Sequence, residues 1–234
     1  MCGRYVSPEQ AAIERVWHVG RSNSNPFRQR YNVLPTTNVP IICRSGPTAA
    51  PELGEARWGL IPHWWSKPKP PTSTINARSE EAAGKPMWRH AWRNMRCLIP
   101  AVGWYEWRER ERVDPVTGEV RKYKQPYYLH VDRAEPVCFA GLMSPWAPPG
   151  GEHILSCAIP TRAPSPSAAA VHDRMPVILE EAAHAEWLDP TQTDANRVAE
   201  LVCTAAIGDV RYHPVSTALN ASRKDGPELI EPLK

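Results

Sequence analysis

The stretch CLIPAVGWYEW, residues 97–107, decides the fold. A nearly continuous apolar run of this kind is typical of a strand that is covered on both faces, so it predicts a central strand. Glu106 interrupts the run as a carboxylate among aromatic side chains. Two interpretations remain open here. Glu106 faces solvent on an alternating strand, or it is partly buried, has a raised pKa and exchanges a proton near neutral pH.

The segments on either side of this run predict more strands than helices. Residues 108–124 are charged and contain the turn sequence Asp114-Pro115-Val116-Thr117-Gly118, which predicts a protruding hairpin. Further strands are predicted over 39–43, 55–62, 127–131, 137–143 and 153–159. Because the strands are mostly joined by short connections, the pattern favours an α+β fold of antiparallel sheets with flanking helices.

Helical patterns occur near both ends and in the middle of the chain. Ser7 is a favourable cap residue, and it predicts a helix that begins directly after it. Residues 80–92 predict a helix that is interrupted at Gly84 and Pro86, and a last helix follows Thr193.

Length and composition indicate one domain, which we expect to span residues 1–234 because nothing marks a linker. There is no apolar run of about 18 residues and no apolar N-terminal stretch, so neither a membrane span nor a secretion signal is predicted. The six cysteines form no C-x-x-C pair and no histidine cluster has ligand spacing. We therefore expect reduced thiols in a cytoplasmic protein that has no metal site and no cofactor.

Charge and tryptophan content leave a nucleic-acid partner open. The net charge is only +3, but a local basic face can hide in a near-neutral total. Neighbouring side chains point to different sides, so at least one of Trp64 and Trp65 is expected to be exposed, beside Lys67 and Lys69. Such a pair can stack on bases, or it can form a hinge packed on a proline-rich loop. Arg96 and the basic residues before it are typical of a solvated face.

Cys2 follows the initiator methionine, which is usually trimmed before a small residue. Trimming would place a free α-amine and a thiol on adjacent carbons, and both are usable nucleophiles near neutral pH. An aldehyde would then be attacked by the amine, and the thiol would close a thiazolidine ring. The alternative is a small residue in a frayed chain end. His172, which follows an alanine run, is either a structural histidine or a proton carrier.

In combination, these features resemble the SRAP family of abasic-site processing proteins over almost the whole chain. The resemblance rests on motifs in a fixed order: Met1-Cys2-Gly3-Arg4, Arg30-Tyr31-Asn32-Val33, Pro35-Thr36, Trp58-Gly59, Trp64-Trp65, Asn76-Ala77-Arg78, Glu80, Gly103-Trp104-Tyr105-Glu106-Trp107, His172-Asp173-Arg174-Met175-Pro176 and Glu228-Leu229-Ile230. Leu34 and Pro164 depart from the family pattern, where alanine and an asparagine or aspartate are usual, and neither belongs to the reactive set.

The resemblance implies site residues position by position. The implied catalytic residues are Cys2, Asn76, Glu106 and His172. The implied DNA contacts are Arg4, Asn32, Pro40, Trp64, Trp65, Arg78, Met87, Thr161 and Arg174. Among these, the arginines would contact phosphates, Asn32 and Thr161 would line the site, and Trp64 and Trp65, with Pro40 and Met87, would separate or stack bases.

The resemblance also implies a barrel-like core and a function. The partner would be single-stranded DNA that carries an abasic site, and the product a covalent cross-link through Cys2, with minor lyase activity and reversal. A monomer, nucleoid-associated in a bacterium, is implied. Two alternatives from other classes remain, namely a peptidase or autoprotease that uses an N-terminal cysteine, and a non-catalytic single-strand binder.

Overall fold

The computed structural model describes residues 2–20, 26–67, 71, 74–148 and 150–233. The strands in chain order are β1 (Arg4–Ser7), β2 (Arg30–Val33), β3 (Asn38–Cys43), β4 (Glu52–Trp58), β5 (Asn76–Arg78), β6 (Arg96–Ala101), β7 (Gly103–Val113), β8 (Val120–His130), β9 (Val137–Trp146), β10 (Ile154–Arg162), β11 (Met175–Pro176), β12 (Ile178–Leu179) and β13 (Arg211–Pro214). The α-helices are α1 (Gln10–Trp17), α2 (Ser79–Ala82), α3 (Arg89–Asn94), α4 (Pro166–Ala169), α5 (Glu181–Trp187) and α6 (Ala195–Thr204). Short 3-10 helices span Thr217–Asn220 and Pro227–Ile230.

Two sheets form the body of the molecule, which confirms the predicted α+β class. One sheet has the strand order β13-β8-β7-β1-β2. In the other, β10-β4-β3-β6-β9 closes on itself because β10 also pairs with β9, and this closure makes the expected barrel. Most pairings are antiparallel, whereas β10 runs parallel to β4 and β5.

The run 97–107 is not the single central strand that its apolar composition predicts. It is divided between β6 in the barrel and β7 in the open sheet, with Val102 at the crossing. The Val102 N–H donates to the Val6 carbonyl at 2.8 Å. A Cβ at Gly103 would lie 2.6 Å from the Leu129 carbonyl oxygen, so only glycine permits this close approach. The chain therefore passes from the barrel to the open sheet at Gly103, where the lack of a side chain permits the close approach to β8.

The largest core cluster fills the space between the two sheets. Tyr5 and Trp104 from the open sheet meet Trp58 and Phe139 from the barrel, with ring centroids 5.4 to 6.1 Å apart. The edge-to-face geometry of these pairs is the one that the charge distribution of aromatic rings prefers. Burial of this cluster orients β1 and β7 relative to the barrel.

The helical predictions hold, with one shifted start. Residues 79–94 form two short helices separated at the predicted breakers, and α6 and the 108–124 hairpin occur where predicted. Ser7, however, ends β1 and does not cap α1, which begins at Gln10, with the Gln10 N–H donating to the Phe27 carbonyl at 2.9 Å. The position of Ser7 is therefore determined by strand pairing and not by the preference of serine for a helix N-cap. No helix in the described residues is long and apolar enough to cross a bilayer.

Arg96 is buried, although its neighbours predict a solvated face. Its guanidinium donates to five backbone carbonyls, those of Trp92, Arg93, Trp187, Asp189 and Gln192. Burial lowers the pKa of Arg96 to about 10. The cation thus ties α3 and α5 to the segment that precedes α6.

Candidate active site

The N-terminal segment reaches Glu106 through the antiparallel pairing of β1 with β7. Arg4 lies opposite Tyr105 in this ladder. Continuing the register by one pair places Gly3 beside Glu106, and Cys2 precedes Gly3. Cys2 is fully buried, with its Sγ 3.9 Å from the Arg4 carbonyl oxygen. The start of the chain is therefore held next to the carboxylate by backbone pairing.

Two further predicted residues lie on neighbouring strands, Asn76 on β5 and Thr161 on β10. Asn76 lies opposite Ile159 in the parallel β5–β10 pair, and Thr161 lies opposite Pro176 in the antiparallel β10–β11 pair. The Asn76 side chain donates from Nδ2 to the Cys2 carbonyl at 2.8 Å. The Asn76 Oδ1 is buried and has no hydrogen-bond partner in the described part of the chain. Asn76 thus holds the Cys2 backbone through Nδ2, and its Oδ1 remains available as a hydrogen-bond acceptor.

His172 arrives on the loop that follows α4, and the sequence encodes the start of this helix. Ser165 caps it by accepting from the Ala168 N–H, and Pro166 occupies its first turn. The His172 N–H then donates to the Ala168 carbonyl at 3.0 Å. These contacts fix the loop that carries the imidazole.

Glu106 is buried, so the second of the two sequence interpretations is correct. Its residue is 2% exposed, and burial raises the pKa of its carboxyl to about 7. His172 Nε2 lies 3.7 Å from Glu106 Oε2. Burial also lowers the pKa of His172. Both shifts favour the neutral forms, and the pKa of about 7 lets Glu106 exchange a proton near neutral pH.

The protonation of His172 follows from the contacts of its other nitrogen. Nδ1 lies 3.0 Å from the Arg174 backbone nitrogen and 2.8 Å from Asp173 Oδ1. A neutral Nδ1 cannot accept from the first and donate to the second. The Arg174 N–H has a fixed hydrogen, whereas the Asp173 side chain is 87% exposed and free to turn, so we assign Nδ1 as an acceptor. The neutral ring then carries its proton on Nε2, facing Glu106.

A cavity of about 420 Å³ opens over these two side chains. Glu106 and His172 line it together with Trp107, Lys124 and Asn220. Trp107 Nε1 donates to Asn220 Oδ1 at 2.9 Å, which closes the wall between β7 and the C-terminal segment. Glu106 is thus buried by the protein and still borders a space that a ligand can enter.

The environment of Cys2 keeps its sulfur protonated. Burial, and next the negative charge of Glu106, raise the pKa of the Cys2 thiol well above its usual value. The thiol is therefore neutral at physiological pH, unlike the thiolates of cysteines that are activated by a nearby cation.

The predicted phosphate-binding arginines differ in their exposure to solvent and in the contacts that their guanidinium groups make. Arg78 is exposed and lies 3.7 Å from Glu81. Arg174 makes a bidentate pair with Glu80, at 2.8 Å for each bond, so a phosphate would have to compete with that carboxylate. Arg4 is half-buried beside the cavity wall, with its guanidinium 6.0 Å from the Trp107 ring.

Asn32 and Thr161 act through their neighbours. Asn32 accepts from Arg4 Nη1 at 2.9 Å and donates to the Lys224 carbonyl at 2.8 Å, so it positions Arg4 and the C-terminal segment. Thr161 is fully buried, and its Oγ1 lies 3.4 Å from Arg174 Nη2. Neither side chain lines the cavity over Glu106.

The tryptophan pair lies in the loop after β4, as the sequence predicts. Trp64 is 49% exposed to solvent, and its ring centroid lies 6.1 Å from that of Trp65. Lys67 Nζ lies 5.4 Å from the Trp65 ring. The expected exposure of one of the two rings is confirmed for Trp64, the lysine lies beside the half-buried Trp65, and Lys69 falls outside the described residues.

The structure does not bring Pro40 and Met87 to the cavity over Glu106. Pro40 is buried in β3 and lines a separate cavity of about 390 Å³ beside Arg28 and Arg30. Met87 packs on the second core cluster, near Trp88. Their predicted part in a base wedge has no geometric support from this arrangement.

The protein-family comparison decides the relationship. A model of the family described as SOS response associated peptidase (SRAP) matches residues 1–222. The chain belongs to the SRAP family. Curated relatives include the abasic site processing protein YoqW of Bacillus subtilis, which is 34% identical over 99% of both chains. The protein YedK of Escherichia coli is 31% identical over 87% of this chain and 85% of its own. HMCES of Xenopus tropicalis is 30% identical over 92% and 68%.

Solved structures agree with the SRAP architecture described above. A Bacteroides thetaiotaomicron protein superposes with a TM-score of 0.77 at 20% identity, with both chains fully covered. At this identity the likeness shows the fold alone. A phage-related protein of Bordetella bronchiseptica gives a TM-score of 0.63 at 29% identity, over 92% of this SRAP chain and 95% of its own.

Sequence reasoning missed the role of Asn220 in this SRAP site. It lies in a 3-10 turn near the end of the chain, and no local pattern links it to Trp107. Trp107 belongs to a quoted motif, but its place in the cavity wall depends on which face of β7 points outward. Within the described ranges, no three His, Cys, Asp or Glu side chains come together as metal ligands would.

Proposed function

We propose that this protein processes abasic sites in single-stranded DNA by cross-linking itself to them through Cys2 after Met1 is removed. One observation carries the proposal: Glu106 and His172 line one cavity 3.7 Å apart, and the start of the chain pairs alongside Glu106 with the Cys2 carbonyl held by Asn76. Met1 lies outside the described residues, so its removal is part of the proposal.

The chemistry is an aldehyde condensation. The open form of the abasic sugar presents an aldehyde, and the Cys2 amine attacks its carbon to give a carbinolamine. Loss of one water leaves a Schiff base. The thiol sulfur then adds to the imine carbon, its proton passes to the nitrogen, and a five-membered thiazolidine results. No oxidant or reductant is consumed, and one water is released overall.

Proton transfers in this sequence need a group that titrates near neutral pH. Glu106 has a pKa of about 7, so its carboxylate can take the proton from the Cys2 ammonium and its acid form can protonate the departing hydroxyl. His172 faces Glu106 through Nε2 and would assist opening of the sugar ring. Asn76 orients the attack by holding the Cys2 carbonyl.

DNA would be held by charge and stacking. Arg4 lies in β1 and Arg78 ends β5, the strand that carries Asn76, and arginine forks donate bidentate bonds to phosphate oxygens. Trp64 offers an exposed ring on which an unpaired base can stack. An unpaired abasic nucleotide enters without the energy of duplex opening. Strand cleavage from the Schiff base and reversal of the cross-link are expected side reactions.

A thiol peptidase is the less favourable use of the same residues. Thiol peptidases rely on a thiolate whose pKa a neighbouring cation lowers. Here burial and Glu106 raise the pKa of the Cys2 thiol, and burial lowers the pKa of His172. An amine-first reaction tolerates a neutral thiol, because sulfur attacks only after the reactive imine has formed.

Intact mass spectrometry tests the proposal. The purified protein is incubated with a single-stranded oligonucleotide that carries one abasic site, and separately with peptides. We expect a protein without Met1 that gains the mass of the oligonucleotide minus one water, and intact peptides. An unmodified protein with cleaved peptides would establish the peptidase. Reversible binding without a mass change would establish a passive binder.

A further inference from the structure

The β7–β8 hairpin extends beyond the core and has two chemically different faces. Residues that lie opposite each other in an antiparallel ladder share a face. One face carries Glu109 and Glu111 opposite Lys124 and Lys122, and a Lys122–Glu109 ion pair of 2.9 Å balances its charges. This face, which we call the balanced face, has no net charge along these pairs.

The opposite face carries a row of arginines. Arg108, Arg110 and Arg112 occupy alternate positions of β7, and Arg121 lies opposite Arg112. Tyr123 lies opposite Arg110, with 41% of its residue exposed. We call this surface the arginine face. The charges alternate in sign along residues 108–112, and because neighbouring side chains of a strand point to opposite faces, this alternation places the arginines on one side.

The arginine face begins at the active-site carboxylate. Glu106 has the same parity on β7 as Arg108, Arg110 and Arg112, so all four side chains leave the same side of the strand. Alternate residues of a strand are about 6.6 to 6.8 Å apart. This step is comparable to the distance between neighbouring phosphates in an extended single strand of DNA.

The acidic residues near this face are already engaged. The Asp114 carboxylate accepts from two backbone N–H groups of its own turn, at 2.9 and 3.1 Å. Glu119 pairs with Arg121 at 3.1 Å. Within the described part of the chain, the Arg112 side chain takes part in no hydrogen bond or ion pair, so its whole guanidinium is available to a ligand.

The other two arginines are oriented by single anchors. Arg108 donates from Nη1 to the Ala170 carbonyl at 2.9 Å, on the chain that leads to His172. Arg110 donates to the Tyr127 hydroxyl at 2.7 Å through Nη2. A guanidinium has five donors, so each of them keeps several for a phosphate.

We propose that the arginine face binds the phosphate backbone of the DNA strand as it leads away from the abasic nucleotide. This inference rests on the proposed function, because that function fixes where the strand starts. The row would hold successive phosphates on one side of the lesion, and Tyr123 would offer its ring to a base between them. The hairpin thereby extends the footprint beyond the cavity.

Binding of oligonucleotides with different flanks tests the inference. Each carries a tetrahydrofuran abasic analogue, which has no aldehyde, so fluorescence anisotropy reports binding without cross-linking. One oligonucleotide is short, and two are extended on one side or on the other. Arg112→Gln should bind the short one like the wild type and one extended one about fivefold more weakly. Its slope of log K against log salt should fall by about 0.7 with that oligonucleotide alone.

Lys122→Gln is the matched control, since it removes one charge from the balanced face of the same hairpin. It should bind all three oligonucleotides like the wild type. Equal behaviour of Arg112→Gln and Lys122→Gln on every oligonucleotide would overturn the inference. Failure of the proposed function has a separate signature, because the wild type would then form no covalent adduct with a true abasic site.

Discussion

Glu106 combines two properties that normally exclude each other, burial and ionisation near neutral pH. Taking a carboxylate out of water costs free energy, so folding favours its protonated form. Its pKa of about 7 is the direct result. If Glu106 had only a structural role, its replacement by a neutral side chain would leave the function unchanged. Substitution of Glu106 is therefore a direct test of its role.

Replacing Glu106 with glutamine should stabilise the protein at high pH only. The folded pKa is raised from about 4.5 to about 7, so the stability that Glu106 contributes is present below about pH 4.5 and is lost as the pH rises through 7. Urea unfolding should show Glu106→Gln about 2 to 4 kcal/mol more stable than the wild type at about pH 8 and equal at about pH 4.5.

The same variant should form cross-links more slowly, because glutamine cannot carry a proton. Glu111→Gln, an exposed change on the same strand, is the control and should alter neither quantity. A stability difference for Glu106→Gln that is identical at both pH values would contradict the assigned burial and pKa.

Local sequence could identify Glu106 as unusual but could not decide its burial. Strand alternation left exposure and burial equally open. The decision comes from β1, which pairs alongside β7, and from the His172 loop, and both are remote in sequence. For the same reason Asn220 carried no signal. The family resemblance predicted the set Cys2, Asn76, Glu106 and His172, because the family motifs include residues that are distant in sequence and close in the fold.

At the scale of elements, the pattern found most strands but not the place where the chain changes sheet. The run 97–107 is almost entirely apolar because β6 and the first residues of β7 are buried, in different sheets. Periodicity cannot distinguish this arrangement from one long strand. The break depends on Gly103 and its approach to Leu129, a contact that forms only after β8 has paired.

Arg96 gives a prediction at this scale. Arg96→Gln removes a buried cation whose donors satisfy carbonyls of α3, of α5 and of the turn after α5, so several buried acceptors lose their partners. We expect a loss of about 3 to 5 kcal/mol in the free energy of unfolding, measured by urea denaturation.

Arg89→Gln provides the comparison, since it removes one exposed positive charge at the start of α3. It should change stability by less than about 0.5 kcal/mol. Comparable losses for the two variants would mean that charge, and not the buried hydrogen-bond network, stabilises this region.

For the whole molecule, the resemblance and the pattern of predicted strands and helices both predicted an α+β body, and the closed barrel is what the family resemblance implies. The net charge of +3 says little about DNA binding, because the relevant charges are local. Arg78 is exposed near the site, whereas Arg174 is occupied by Glu80. Such differences within one set of family arginines appear only in three dimensions.

Salt dependence measures how many phosphates the molecule contacts. Arg78→Gln should weaken binding of all single-stranded sequences alike and reduce the slope of log K against log salt by about 0.7. Anisotropy titrations at several salt concentrations would measure both. The control is Arg15→Gln. Arg15 lies on α1 and forms a surface ion pair with Glu135, so its replacement should leave the slope unchanged. A sequence-dependent loss for Arg78→Gln would show that it reads bases.

The most direct measurement is a denaturing gel of the protein with single-stranded DNA that carries one abasic site, run beside Cys2→Ala. The account predicts a heat-stable shifted band with the wild type and none with Cys2→Ala, while both proteins bind an abasic analogue equally well. The same shifted band with Cys2→Ala, or no band with a wild type from which Met1 has been removed, would contradict the claim that Cys2 forms the cross-link.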